Sequence, residues 1–131
     1  MSVLIRSIDG LDAGWPNNYW GITSANLFVG KDGNNPFWMM ENVGGGGLVP
    51  STITVKANET VFLVVRLTAL NGADKVELWV NPIPGQPLPA PNATKTDLNV
   101  DDLNVGIDGS IRCIYDEYRV GRTWESVSPT Q

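Results

Sequence analysis

Tyr115-Asp116-Glu117-Tyr118-Arg119-Val120-Gly121-Arg122-Thr123-Trp124, near the end of the chain, decides how the rest is read. Ile111 to Val120 is rich in strand-forming residues, Gly121 breaks the run, and Trp124 is a large apolar surface that must fold back onto something. Acids beside Tyr and Arg invite a catalytic reading, but strand parity opposes it. Asp116 and Glu117 are adjacent, so in a strand they point to opposite faces. One parity carries Arg112, Ile114, Asp116, Tyr118 and Val120; the other carries Ile111, Cys113, Tyr115, Glu117 and Arg119. Glu117 and Arg119 share a face and suit a surface pair worth at most about 1 kcal/mol. A buried Asp116 would need hydrogen bonds, which the backbone amides near Thr123 and Trp124 could donate. Asp116, Gly121 and Trp124 therefore read as a latch that closes an antiparallel β structure.

Working outward, the clearest core signal is Val61-Phe62-Leu63-Val64-Val65-Arg66-Leu67, apolar on both parities, which predicts a central strand covered on both faces. Asn71-Gly72 turns the chain. Lys75 to Asn81 then alternates, with Val76, Leu78 and Val80 on one face and Lys75, Glu77 and Trp79 on the other, more polar face. The two segments read as a hairpin. Earlier strands are expected at residues 2–7, from Tyr19 to Ile22, at Asn26–Gly30, Phe37–Met40 and Thr52–Val55, with Asp32-Gly33-Asn34-Asn35-Pro36 as a turn. Gly44 to Gly47 lack the Lys-Ser/Thr and the helix of a phosphate-binding loop and read as a surface connection. Five prolines from Pro82 to Pro91 open a long extended crossover, taken to run to residue 98. A strand is expected from Asn99 to Val105, a turn at Asp108-Gly109 and a last strand from Ser110 to Val120. About eight short strands with no helical period between them predict an all-β antiparallel sandwich, with long crossovers favouring a jelly roll or Greek key.

With 131 residues the chain is expected to form one sandwich domain. A net charge of −5, with no cluster of Lys and Arg, argues against nucleic acid as a partner. No apolar run approaches the roughly 20 residues of a membrane-spanning helix. The absence of His removes the commonest general base and the usual zinc ligand. The one cysteine, Cys113, lies between Ile111 and Ile114 and reads as an apolar thiol.

Thr60-Val-Phe-Leu-Val-Val-Arg-Leu67, Leu78-Trp-Val-Asn-Pro82 and Tyr115 to Trp124, closing on Val127-Ser-Pro129, occur in this order. Together they resemble laminin-G-like, concanavalin A-like jelly rolls of bacterial secreted and surface proteins, over roughly residues 60–129; Leu27-Phe-Val-Gly-Lys31 resembles an earlier strand of that group. The resemblance implies an extracellular or cell-surface location. In that group further strands precede the position of Met1, so the chain corresponds to the later part of such a domain, either as an excerpt or as a natural short version. A short version would lack its first strands and expose a sheet edge, which a partner chain could pair.

The resemblance also directs attention to three chemistries. Glycoside hydrolases on this kind of sandwich place acids at alternating positions of one strand, roughly 5 Å apart for retention; Asp101-Asp102 and Asp116-Glu117 are adjacent instead, and Glu77 stands alone. A structural calcium would find oxygen ligands at Asp32, Asn34 and Asn35, or at Asp101, Asp102 and Asp108, although Asx turns explain the same residues; no other cofactor is implied. Saccharide stacking would use an exposed aromatic face: Trp79 beside Glu77, or Trp15, Tyr19 and Trp20 near an Asn-rich loop, while Trp38 and Trp124 read as packing residues. The expected function is a non-enzymatic binding or adhesion module for a polysaccharide or surface. The alternatives are a structural subunit completed by a partner chain and a partial or degenerate glycoside-active enzyme.

Overall fold

The computed structural model describes residues 1–8, 18–100 and 104–129, and the expected site residues Trp15, Asp101 and Asp102 lie outside them. Among the described residues, ten strands form two five-stranded antiparallel sheets, packed as a β-sandwich. One sheet has the order β10-β1-β6-β7-β8, from β1 (Ser2–Ser7), β6 (Val61–Thr68), β7 (Asp74–Val80), β8 (Ala93–Leu98) and β10 (Cys113–Arg119). The other has the order β5-β4-β3-β2-β9, from β2 (Trp20–Ser24), β3 (Leu27–Lys31), β4 (Phe37–Asn42), β5 (Val49–Thr54) and β9 (Val105–Gly109). The only helix among the described residues is α1 (Trp124–Val127), and none there is long and apolar enough to cross a membrane.

The central-strand reading of Val61–Leu67 holds for a clear physical reason. Val61, Leu63 and Val65 point between the sheets into the main core with Ile5, Ile22, Val29, Trp38 and Leu78. Phe62 and Val64 point outward, yet are buried with Trp79 in a second cluster that Leu4, Leu88 and Trp124 flank. The proline-rich crossover and the C-terminal segment cover the first sheet's outer face, so both parities of β6 must be apolar. The hairpin of β6 and β7 pairs from Leu63↔Val80 to Thr68↔Lys75, as the alternation predicts.

Four expectations change. The strand expected from Asn99 to Val105 is displaced: β9 begins at Val105 and runs to Gly109, and Asn99, Val100 and Asn104 lie outside any strand. The crossover ends at Asn92, and residues 93–98 form β8, paired with β7. Thr94 and Thr96 supply its β propensity, and Lys95 occupies an inward position that a pattern of apolar residues does not reveal. Asp108-Gly109 is not a turn: Gly21↔Asp108 and Trp20↔Gly109 are rungs of the β2–β9 ladder. The last strand is shorter and irregular. Glu117 takes φ +53°, and the pairing with β1 slips between Leu4↔Asp116 and Ser2↔Arg119. Such a bulge resets the alternation on which the face assignments past Asp116 depend.

The two flanks of the sandwich differ. Where β8 faces β5, the buried Lys95 extends its ammonium 2.5 Å from the Gly47 carbonyl and 2.7 Å from the Asp97 carboxylate, tying β8 to the glycine-rich connection between β4 and β5. Close by, Asp74 accepts from the Leu70 and Val100 amides at 2.9 and 2.7 Å, and those two bonds hold its carboxyl below the usual range. On the opposite flank, β9 and β10 are both edges. Cys113 and Tyr115 oppose Ser7 and Ile5 and so face inward, but are only partly buried.

Candidate functional site

The aromatic residues named from the sequence fall in separate places. Trp20 is fully buried and meets Trp38 edge to face at 5.0 Å between ring centroids, so its face serves packing. Trp79 shares the outer face with Lys75 and Glu77, as alternation requires, but that face is covered rather than solvated, and Trp79 is 2% exposed. Its Nε1 donates to the Pro89 carbonyl at 2.8 Å, and the Arg66 guanidinium lies over its ring at 5.1 Å. Glu77 is buried too, pairing with Arg66 at 2.5 Å and Lys75 at 2.8 Å. Burial opposes its ionisation, but the hydrogen bonds and charges of Lys75 and Arg66 outweigh that and keep the carboxyl below its ordinary range. A carboxylate held ionised by two cations is a poor proton donor. Tyr19 stands by itself on the other sheet, edge-on to Phe28, with its hydroxyl 3.3 Å from Asp108.

The turn suggested for calcium also holds a cationic side chain. The Lys31 ammonium, on a largely buried side chain, donates to the carbonyls of Asp32 (2.9 Å), Gly33 (2.8 Å) and Asn18 (3.4 Å). Asn35 closes the turn by accepting from the Phe37 amide, the bland Asx-turn reading. Asp108 belongs to β9 and accepts from Tyr19, and no group of three His, Cys, Asp or Glu placed for a metal occurs among the described residues.

At the C-terminal latch, a half-buried aromatic ring borders a concavity. Gly121 leaves room for the Ser126 hydroxyl, which a Cβ at that position would displace. Thr123 caps α1: its hydroxyl accepts from the Ser126 amide, while Ser126 Oγ accepts from the Thr123 amide. Asp116 does not serve those amides; it is exposed and accepts from Glu117 N at 2.8 Å. Buried Ser2 donates to the Val127 carbonyl at 2.7 Å, and Arg119, paired with Glu117, donates to the Ser128 carbonyl at 2.9 Å. These bonds set Trp124 against Phe62, with ring centroids 6.2 Å apart.

Opposite Trp124, the crossover makes a turn at Ile83-Pro84-Gly85-Gln86. The Gln86 amide donates to the Ile83 carbonyl, and Gly85 takes the positive φ (+76°) that the third residue of a type II turn requires, with Pro84 suited to the second. The Gln86 carbonyl then accepts from Trp124 Nε1 at 2.8 Å, joining the two segments. Between them lies an open groove of about 690 Å³. Pro84, Pro87, Pro129 and Trp124 give it apolar walls; Gln86, Glu125 and Ser128 supply polar groups. The Ser128 hydroxyl is buried and has no hydrogen-bond partner among the described residues. Sequence reading names Trp124 as a closing residue but not as a groove wall. The missing signal was the Pro-Gly turn 38 residues earlier, which only the fold brings alongside.

Compared with known proteins, the chain matches no family model, no curated protein and no solved structure.

Proposed function

We propose that this chain is a non-enzymatic binding module of a secreted or cell-surface protein, and that it holds a saccharide in the groove beside Trp124. The observation that carries the reading is the groove itself: an indole and three prolines for the apolar face of a sugar ring, with the amide of Gln86 and the carboxylate of Glu125 at its margins. The lack of His and the charge-paired state of Glu77 support binding rather than catalysis. A concanavalin A-like jelly roll is part of the proposal. Its support is the phrases quoted from residues 60–129 and the nesting of the outer strand pairs, β1 with β10 and β2 with β9.

A glycan array followed by calorimetric titration tests the reading. Trp124→Ala is expected to weaken saccharide binding by about tenfold or more, equivalent to about 1.4 kcal/mol. Because Trp124 also covers Phe62, Glu125→Ala serves as a second variant: its side chain is exposed, so affinity should change while the melting temperature does not. Absence of any saccharide ligand, or binding indifferent to both substitutions, would reject the site.

A further inference from the structure

Four strands form the sheet edges: β10 and β8 in one sheet, β5 and β9 in the other. Three carry features that discourage pairing with another chain. β5 contains Pro50, β8 bears the Lys95–Asp97 pair, and β10 is kinked by the positive-φ Glu117. β9 has none of these. It reads Val105-Gly106-Ile107-Asp108-Gly109 and pairs with β2 in unbroken register over all five residues.

Its backbone is oriented for a second neighbour. The Asn104 carbonyl accepts from Ala25 N at 3.0 Å, and Ser110 N donates to the Tyr19 carbonyl at 2.8 Å, so the even-numbered residues of this segment turn their groups toward β2. In an antiparallel ladder the intervening residues, Val105, Ile107 and Gly109, turn theirs to the open edge. Ile107 adds an apolar reason. It opposes Ile22, a core residue, so it faces the sandwich interior, and yet it is 57% exposed.

We infer that the β9 edge pairs with the β9 edge of a second copy of this chain, about a two-fold axis at Ile107, joining two five-stranded sheets into one of ten. This register sets Ile107 against Ile107, Val105 against Gly109 and Gly106 against Asp108. All outward-directed backbone groups then meet their equals. Asp108, the strand's sole charge, lies opposite a glycine rather than another Asp108, so a second copy meets no like-charge contact in this register. An edge of five residues gives a small interface, so the association is weak and concentration-dependent.

Light scattering over a concentration series, paired with amide exchange, tests this. The native chain is expected to rise from the mass of one chain toward two. The amides of Val105, Ile107 and Gly109 should slow by about tenfold when nine-tenths of the chains are paired. Ile107→Lys and Ile107→Pro should each stay at one chain, with unchanged circular dichroism showing that they fold; the proline removes an N–H that β2 does not use. A single-chain mass at every concentration would overturn the inference. So would a two-chain mass that persists in both variants, or one that forms without protecting those three amides.

Discussion

The two flanks of the sandwich solve the same problem differently. At the β5–β8 flank a buried ammonium reaches from one sheet to a carbonyl on a connection of the other, and Ala93 and Leu98 of β8 are buried. At the β9–β10 flank the inward residues Ile107, Cys113 and Tyr115 are covered only in part. The difference shows that a sheet edge can be closed by one long side chain with a polar tip, which needs neither another strand nor a larger core. It also locates where stability and association should respond to substitution.

Lys95→Ala should break the closed flank most severely. It removes a buried four-carbon stem and leaves the Gly47 carbonyl without its donor, a loss of about 2–4 kcal/mol in denaturant unfolding. Lys95→Met keeps the stem and should cost less than half as much. Ile107→Ala on the open flank should cost under about 1 kcal/mol, because a side chain already more than half in water loses little by truncation. If the two alanine variants were equally destabilised, the contrast between the flanks would be void.

Titration separates the flanks at opposite ends of the pH scale. The Asp74 carboxyl, near β8, has its pKa lowered by backbone hydrogen bonds in the folded chain. Its contribution is complete above the unfolded value of about 3.9 and is lost as the pH falls through the folded value. Asp74→Asn should therefore flatten the acid limb of a stability–pH curve. The phenols of β10 behave oppositely. Burial pushes Tyr118 up to about 12 and raises Tyr115 further. A raised phenol favours the folded state below the unfolded value of about 10 and ceases to do so as the pH climbs through the folded value. Ultraviolet titration should find these two phenols ionising late, and Tyr118→Phe should reduce the loss of stability between pH 10 and about 12. This is the smallest expected effect, since Tyr118 is only partly buried.

Much of the sandwich was legible because its signals are local. The β6–β7 hairpin follows from two parities and a turn, and the first five strands follow from short β-rich runs between Gly, Asn and Pro. Residues 93–98 were not legible: a strand whose inward positions include a lysine looks like loop until its partner carbonyl at Gly47 is known. Trp79 misled for a related reason. Alternation correctly groups it with Lys75 and Glu77, but whether that face meets water depends on Arg66 and on a crossover that returns over it. The latch was half legible. Gly121 and Trp124 carry it, whereas Asp116, the residue with the most suggestive chemistry, faces solvent.

The bond from Trp124 Nε1 to the Gln86 carbonyl has a thermodynamic consequence. The groove's two walls come from segments that meet only when the C-terminal strap is seated, and the same strap roofs Phe62 and Val64. If the groove holds a ligand as proposed, its occupancy and closure of the outer face are linked equilibria: a ligand that spans both walls would add its binding free energy to holding the strap down. On that proposal, a change that loosens the strap, such as a side chain at Gly121, should weaken ligand affinity without touching any atom of the groove.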